Sequence, residues 1–158
     1  MAQDQKTLRQ SKRQCILVDT REKQPWAFKV TKRKTLLIGD YTIQGGTTKV
    51  LIERKGSIYD LYQTMRPRNR ARFMENMQRA AESVDWVFLV LETSLASIYR
   101  GVRECPVPPH VVVDCLIELI GHEVNVIFTG GGKRTGRDFA ERLLRTFGNF
   151  PKPTNHVR

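Results

Sequence analysis

The sequence predicts an α/β fold in which a central mixed β-sheet is flanked by helices, and three observations lead there. Short apolar runs rich in Val, Ile and Leu alternate with stretches of helical period. Two of these runs are joined by a Gly-rich link short enough for a hairpin, and 40% hydrophobic residues in 158 can build one buried core.

In chain order, residues 1–13 read as a basic, flexible tail and residues 14–148 as the folded domain. Residues 15–19 form the first strand, with a weak strand at 27–30. Residues 36–43 and 49–55 flank Gln44-Gly45-Gly46-Thr47-Thr48 and pair as an antiparallel hairpin. Ser57 caps a helix over 58–65, with Asp60 at the third helical position, where a carboxylate can complete a capping box. Phe73, Met77 and Ala81, spaced by four, mark an amphipathic helix over 70–82. A strand follows at 86–92. Pro109 opens an apolar helix that Gly121 closes, 124–129 is the last strand, and Thr135 caps a helix carrying Phe139, Leu143, Leu144 and Phe147. Residues 149–158 read as a second mobile tail.

No apolar run approaches the roughly 18 residues of a membrane helix. The first residues, MAQDQKTLRQSKRQ, lack the apolar stretch of a secretion signal, so an intracellular protein is expected, cytoplasmic or with the nucleus or nucleoid. Cys15, Cys105 and Cys115 cannot all pair and have no C-x-x-C spacing, so buried, reduced thiols are expected. The net charge of +11 is uneven: +7 over residues 1–34, 0 over 35–63, +4 over 64–79, −5 over 80–129 and +5 over 130–158. Such segregation suits a basic face for a polyanion, although charge alone allows a solvated surface equally well.

Chemistry concentrates at Gly39-Asp40-Tyr41 and Glu53-Arg54-Lys55. Residues i and i+2 of a strand share a face, so Glu53 and Lys55 point the same way and a hairpin partner brings Asp40 opposite them. Two carboxylates held together resist ionising unless a divalent cation takes up the charge. Oxygen-only ligands favour Mg²⁺ or Mn²⁺, completed by substrate phosphate, with Lys55 placed to orient or activate water. Metal-assisted phosphodiester hydrolysis is the chemistry such a set would serve. An isolated E-x-K is common on exposed strands; here the cluster Asp19-Thr20-Arg21-Glu22 and the later Asp60 accompany it.

Taken together, VDTRE at 18–22, GDY at 39–41, ERK at 53–55 and Asp60 resemble the nuclease domain of XPF-type structure-selective endonucleases, within the restriction-endonuclease-like PD-(D/E)XK superfamily. Arg70-Ala71-Arg72-Phe73 followed by Asn76 is similar to that family's Arg-containing helix, and 87–92 and 126–129 to its core strands. The resemblance implies a restriction-endonuclease-like core and a Mg²⁺- or Mn²⁺-dependent endodeoxyribonuclease acting on branched, flap, forked or single-strand/duplex junction DNA. It implies Asp40, Glu53 and the Arg54 backbone carbonyl as metal ligands, with Asp19 a further candidate, and Lys55 as the catalytic lysine. Asp19 and Glu22 would assist catalysis, Arg21 and Arg54 would bind phosphate, and Asp60 and Tyr41 would support the site. Strand alternation, however, puts the Arg54 side chain opposite Glu53, where a structural ion pair competes, and capping alone accounts for Asp60.

Family members often carry a helicase region or a tandem helix-hairpin-helix module, and this sequence shows neither. DNA would then be gripped by the domain's own basic face or through another protein, or the chain is a fragment or a compact viral version. A catalytically silent DNA-binding or scaffold subunit, and a Holliday-junction resolvase or restriction-like nuclease of the same superfamily, are the alternatives. Arg66, Arg68, Arg70 and Arg72 are candidates for tracking a DNA backbone. Gly130-Gly131-Gly132-Lys133-Arg134-Thr135 is no P-loop, since Ile127 and Arg134 stand where Gly and Ser or Thr are required, and no nucleotide cofactor is expected. Lys133, Arg134 and Arg137 can still meet a DNA phosphate at the helix start. Trp26 either stacks on a base or is buried, and His110, His122 and His156 have no ligand-like spacing. Apolar helices at 110–120 and 138–147 suit a homodimer or heterodimer interface, or simple core packing.

Overall fold

Period-two alternation in the strands divides the protein into two cores on either side of one sheet. The computed structural model describes residues 14–153. Its strands are β1 (Cys15–Val18), β2 (Thr31–Arg33), β3 (Tyr41–Gln44), β4 (Val50–Lys55), β5 (Trp86–Leu91) and β6 (Val124–Phe128). Its helices are α1 (Ile58–Thr64), α2 (Pro67–Ser83), α3 (Leu95–Arg100), α4 (Pro109–Gly121) and α5 (Lys133–Phe147). The six strands run in the order β2-β1-β3-β4-β5-β6. β3 is antiparallel to both β1 and β4, whereas β1/β2, β4/β5 and β5/β6 are parallel. This is the expected mixed sheet flanked by helices.

On one face, Leu51, Val87, Leu89 and Leu91 pack with Leu61, Tyr62, Met65, Phe73, Met77 and Leu116 of the crossover helices. On the other, Ile16, Tyr41, Val50, Ile52, Phe88 and Val90 lie under Ala140, Leu143 and Leu144 of α5, and Trp26 and Phe28 fill the remaining space. Strand β4 therefore sends Leu51, Glu53 and Lys55 toward α1 and α2, and Val50, Ile52 and Arg54 toward the α5 face.

The expected hairpin is β3–β4, in register Tyr41 to Ile52 and Thr42 to Leu51. Its tip is docked on the end of α5: the Thr47 and Thr48 N–H groups donate to the Gly148 carbonyl at 2.7 and 3.1 Å, and a Cβ at Gly46 would come within 2.1 Å of that oxygen. Only glycine allows this approach.

Several boundaries differ from expectation. The strand expected over 36–43 begins only at Tyr41, because Gly39 takes φ +79° and bends the chain just before Asp40. The weak strand at 27–30 is displaced to Thr31–Arg33, while Phe28 turns into the core. Helix α2 starts at Pro67, whose fixed φ suits a first helical position, rather than at 70. Ser94 caps the unexpected α3, whose six residues are too few to show a period. Helix α5 starts at Lys133 after Gly132, placing Thr135 inside its first turn instead of at its cap.

The segment expected to be a mobile tail from 149 begins with a docked residue. Phe150 packs against Trp86 and Phe147 with ring centroids 5.9 and 5.5 Å apart, and its carbonyl accepts from Trp86 Nε1 at 2.8 Å. Cys115 is buried as expected, but Cys15 and Cys105 are half-buried; all three are free. Among the described residues no helix is long and apolar enough to cross a membrane. The expectations for residues 1–13 and for His156 lie outside the described residues.

Candidate active site

Because Tyr41 pairs with Ile52, the next residue back, Asp40, lies across from Glu53 where the β3–β4 ladder ends. The Asp40 N–H donates to the Ile52 carbonyl at 2.9 Å, and its own carbonyl accepts from the Asp19 N–H at 2.8 Å. Arg54 N–H donates to Asp40 Oδ2 at 2.8 Å. The N–H and C=O of one strand residue point to the same edge, so the Arg54 carbonyl also faces Asp40. Lys55 Nζ donates to Glu53 Oε1 at 2.9 Å and sits 4.9 Å from the Phe73 ring centroid on α2. Asp40, Glu53 and Arg21 share a cleft with Leu37, Ile38, Phe73 and Asn76.

Burial, and then the Glu53 charge, push the Asp40 carboxyl up to about 7. Burial by itself would lower the Lys55 pKa, but Glu53, Asp60 and Asp40 together outweigh it and raise it, so the side chain is an ammonium at neutral pH. Among the described residues the only hydrogen-bond donor to the Asp40 carboxylate is the Arg54 N–H. No cluster of three or more His, Cys, Asp or Glu forms a metal cage among those residues. What the site offers is two carboxylates and a main-chain carbonyl with excess negative charge between them. Such an oxygen-only, incomplete set fits a hard cation that keeps part of its water shell.

Asp19, 2% exposed, is committed elsewhere. Its carboxylate accepts from the Arg21 N–H (2.8 Å), Arg21 Nε (2.8 Å), Arg21 Nη2 (3.1 Å) and the Leu36 N–H (2.7 Å). The bond from the Arg21 side chain is the main reason that its pKa is pulled down to about 2. Arg21 Nη2 also donates to the Leu36 carbonyl at 2.6 Å. Asp19 thus holds the 36–40 loop and aims Arg21, whose side chain is 64% exposed, at the cleft mouth. Glu22 accepts from the Gln24 N–H at 2.8 Å and stands 3.9 Å from Arg54 Nη1.

The Arg54 side chain is buried on the opposite face. Its Nε and Nη2 donate to Glu92 Oε2 at 3.1 and 2.7 Å, its Nη1 donates to the Gln24 carbonyl at 2.7 Å, and the guanidinium lies 4.7 Å over the Trp26 ring. Trp26 Nε1 donates to Glu92 Oε1 at 2.8 Å. The structural ion pair therefore occupies the Arg54 side chain, and Trp26 is buried. Tyr41 stacks on Trp26 at 4.8 Å and its hydroxyl accepts from the Trp26 N–H, away from the cleft; burial pushes its phenol up to about 12. Glu92 was not among the expected site residues. Its trace in the sequence is a lone carboxylate ending an otherwise apolar strand.

Asp60 N–H donates to Ser57 Oγ at 3.1 Å, which makes Ser57 the cap, and the Asp60 carboxylate is close enough to raise the Lys55 pKa. Arginines two apart on a helix are about 200° apart around its axis, so the run from 66 to 72 divides. Arg72 borders a groove with Asp60, Gln63, Phe73 and Asn76 that continues the cleft. Arg70 faces α4, where its charge acts on Cys115. Arg66 precedes α2 with its Nε buried and without a hydrogen-bond partner among the described residues, and Arg68 is exposed. Lys133 and Arg134 open α5 and border a hollow with Pro25, Ala27 and Arg137 on the other face. In the apolar helices, Val112, Cys115, Leu116, Leu119, Leu143 and Leu144 belong to the core, leaving Ile117, Ile120 and Phe139 exposed.

The chain matches the ERCC4 domain over residues 4–137. Its fold is similar to that of XPF from Aeropyrum pernix, with a TM-score of 0.66 at 20% identity over 84% of this chain. The match spans 60% of that structure's length. No curated protein matches the sequence. A family match over most of the folded residues, together with the shared sheet and helices, places the chain in the ERCC4-domain family.

Proposed function

We propose that the chain is a divalent-metal-dependent DNA endonuclease that hydrolyses a phosphodiester bond in branched, flap, forked or single-strand/duplex junction DNA. The observation that carries this is the meeting of Asp40 and Glu53 in one cleft at the end of the β3–β4 hairpin, with Lys55 bonded to Glu53. Asp40, Glu53 and the Arg54 carbonyl are the groups that would hold Mg²⁺ or Mn²⁺, which supplies Lewis acidity to a phosphoryl oxygen and lowers the pKa of water. Lys55, held charged by Glu53, donates hydrogen bonds to the charge developing on phosphate or orients the attacking water. Arg21 is held through its Nε and Nη2 by Asp19 and the Leu36 carbonyl, which leaves its Nη1 to donate to a phosphate.

The net charge of +11 favours DNA as partner, which would place the protein with a nucleoid or nucleus. Exposed Ile117, Ile120 and Phe139 are the positions through which a second copy or a related subunit would dock. The presence of all three site residues favours an enzyme over a silent scaffold.

Labelled single-stranded, duplex, flap and forked DNA, incubated with Mg²⁺ or Mn²⁺, tests the proposal. Metal-dependent cutting that disappears in Asp40→Asn and Lys55→Ala proteins is expected. Binding without cutting by the unaltered chain would transfer support to the scaffold alternative.

A further inference from the structure

A single exposed leucine calls for no explanation on its own. Leu37 differs in where it is and in how it is held. It is 95% exposed, yet it lines the same cleft as Asp40 and Glu53. The residue before it is anchored at both main-chain groups, since the Leu36 N–H donates to Asp19 and the Leu36 carbonyl accepts from Arg21. The Leu36 side chain is itself buried, and Ile38 packs partly against the core. Two residues on, Gly39 turns the chain at φ +79° into Asp40. Leu37 is thus an apolar side chain projected into solvent between fixed neighbours, on the loop that delivers a site carboxylate.

The cleft has two chemical characters. Arg21, Asp40 and Glu53 suit a phosphate and its cation, whereas Leu37, Ile38 and Phe73 present apolar surface beside them. A phosphate alone has no use for an apolar wall; a nucleotide has, because its base offers a flat apolar face next to the charged group. Apolar side chains can insert at base steps and take the place of a stacking neighbour.

We propose that Leu37 presses against the nucleobase adjoining the scissile phosphate and holds it out of the stack. This deepens the nuclease reading and rests on it. Junction DNA, whose bases at the branch have already lost part of their pairing and stacking, meets that demand at the least cost.

The test uses the full chain and junction DNA with 2-aminopurine placed in turn at each nucleotide around the branch point, in Ca²⁺ to slow cleavage. Binding of the unaltered protein is expected to raise the fluorescence several-fold at one position. Leu37→Ala should lose that rise, and Leu37→Met, which keeps the apolar reach, should retain it. In Mg²⁺, Leu37→Ala should cut paired DNA more slowly, and a mismatch at the same nucleotide, which frees the base in advance, should restore cutting. An unchanged fluorescence rise in Leu37→Ala would overturn the proposal, as would a cleavage loss that the mismatch does not rescue. If the unaltered protein cuts nothing, the nuclease reading fails separately. The fluorescence response to binding then still decides the contact: a rise that depends on Leu37 upholds it, and none removes it.

Discussion

Replacing Glu92 by Gln removes the charge partner of Arg54 while keeping shape and an acceptor for Trp26 Nε1. The guanidinium of Arg54, a residue 8% exposed, would then face the Gln24 carbonyl, the Trp26 ring and the more distant Glu22 at 3.9 Å. Breaking a buried ion pair by removing one partner costs about 3–5 kcal/mol, and Glu22 moves the expectation to the lower end, about 3 kcal/mol. For a chain of this size that corresponds to a fall of roughly 6–12 °C in Tm. Urea unfolding and calorimetry read it directly. Arg54→Met combined with Glu92→Met buries no unpaired charge, and should lose less stability than either single change even though Trp26 Nε1 and the Gln24 carbonyl lose a partner. A Glu92→Gln protein within about 1 kcal/mol of the original would refute this account of the pair. So would an Arg54→Met protein of full stability whose DNA-binding salt slope fell by about 0.9, because that is the signature of a phosphate contact.

Asp19, whose pKa is lower in the fold than in the unfolded chain, stabilises the protein fully above about pH 4 and loses that contribution as the pH falls toward 2. Acid titration of unfolding should show a loss of about 2 kcal/mol across that window, flattened in Asp19→Asn. Asp40 has the opposite sign: with its pKa raised to about 7, the metal-free fold loses stability as the pH rises from about 4 to 7. Asp40→Asn should therefore be more stable than the original at pH 8 in EDTA, by at most about 4 kcal/mol, while cleavage is lost; equal or lower stability would contradict the placement of Asp40 against Glu53. Arg72→Ala should lower the salt slope of DNA binding by about 0.9, whereas Arg70→Ala, on the side facing α4, should leave it unchanged; equal effects would show that the helix does not divide the run.

Asp40, Glu53 and Lys55 were legible in the sequence because their proximity is local. Two share a strand face by period two, and the third arrives through a hairpin whose short Gly-rich link restricts its register. The same alternation placed Arg54 on the far face before any partner was visible. Its partner, Glu92, lies 38 residues away and reaches it only because β5 runs parallel beside β4 through a helical crossover. Nothing in the local pattern carries that pairing. Tyr41 illustrates the converse: it adjoins Asp40 in sequence, but the pleat sends its ring to the opposite core.

Local periodicity and turn chemistry thus determined the class of fold, the hairpin and the three residues of the candidate site, since each depends on neighbours a few residues apart. Tertiary structure decided which charges are buried and paired, where Asp19 spends its four hydrogen bonds, which arginines border the cleft, and that Leu37 stands exposed at its mouth. Those outcomes depend on desolvation and on contacts across strand crossovers, and both exist only once distant segments have packed together.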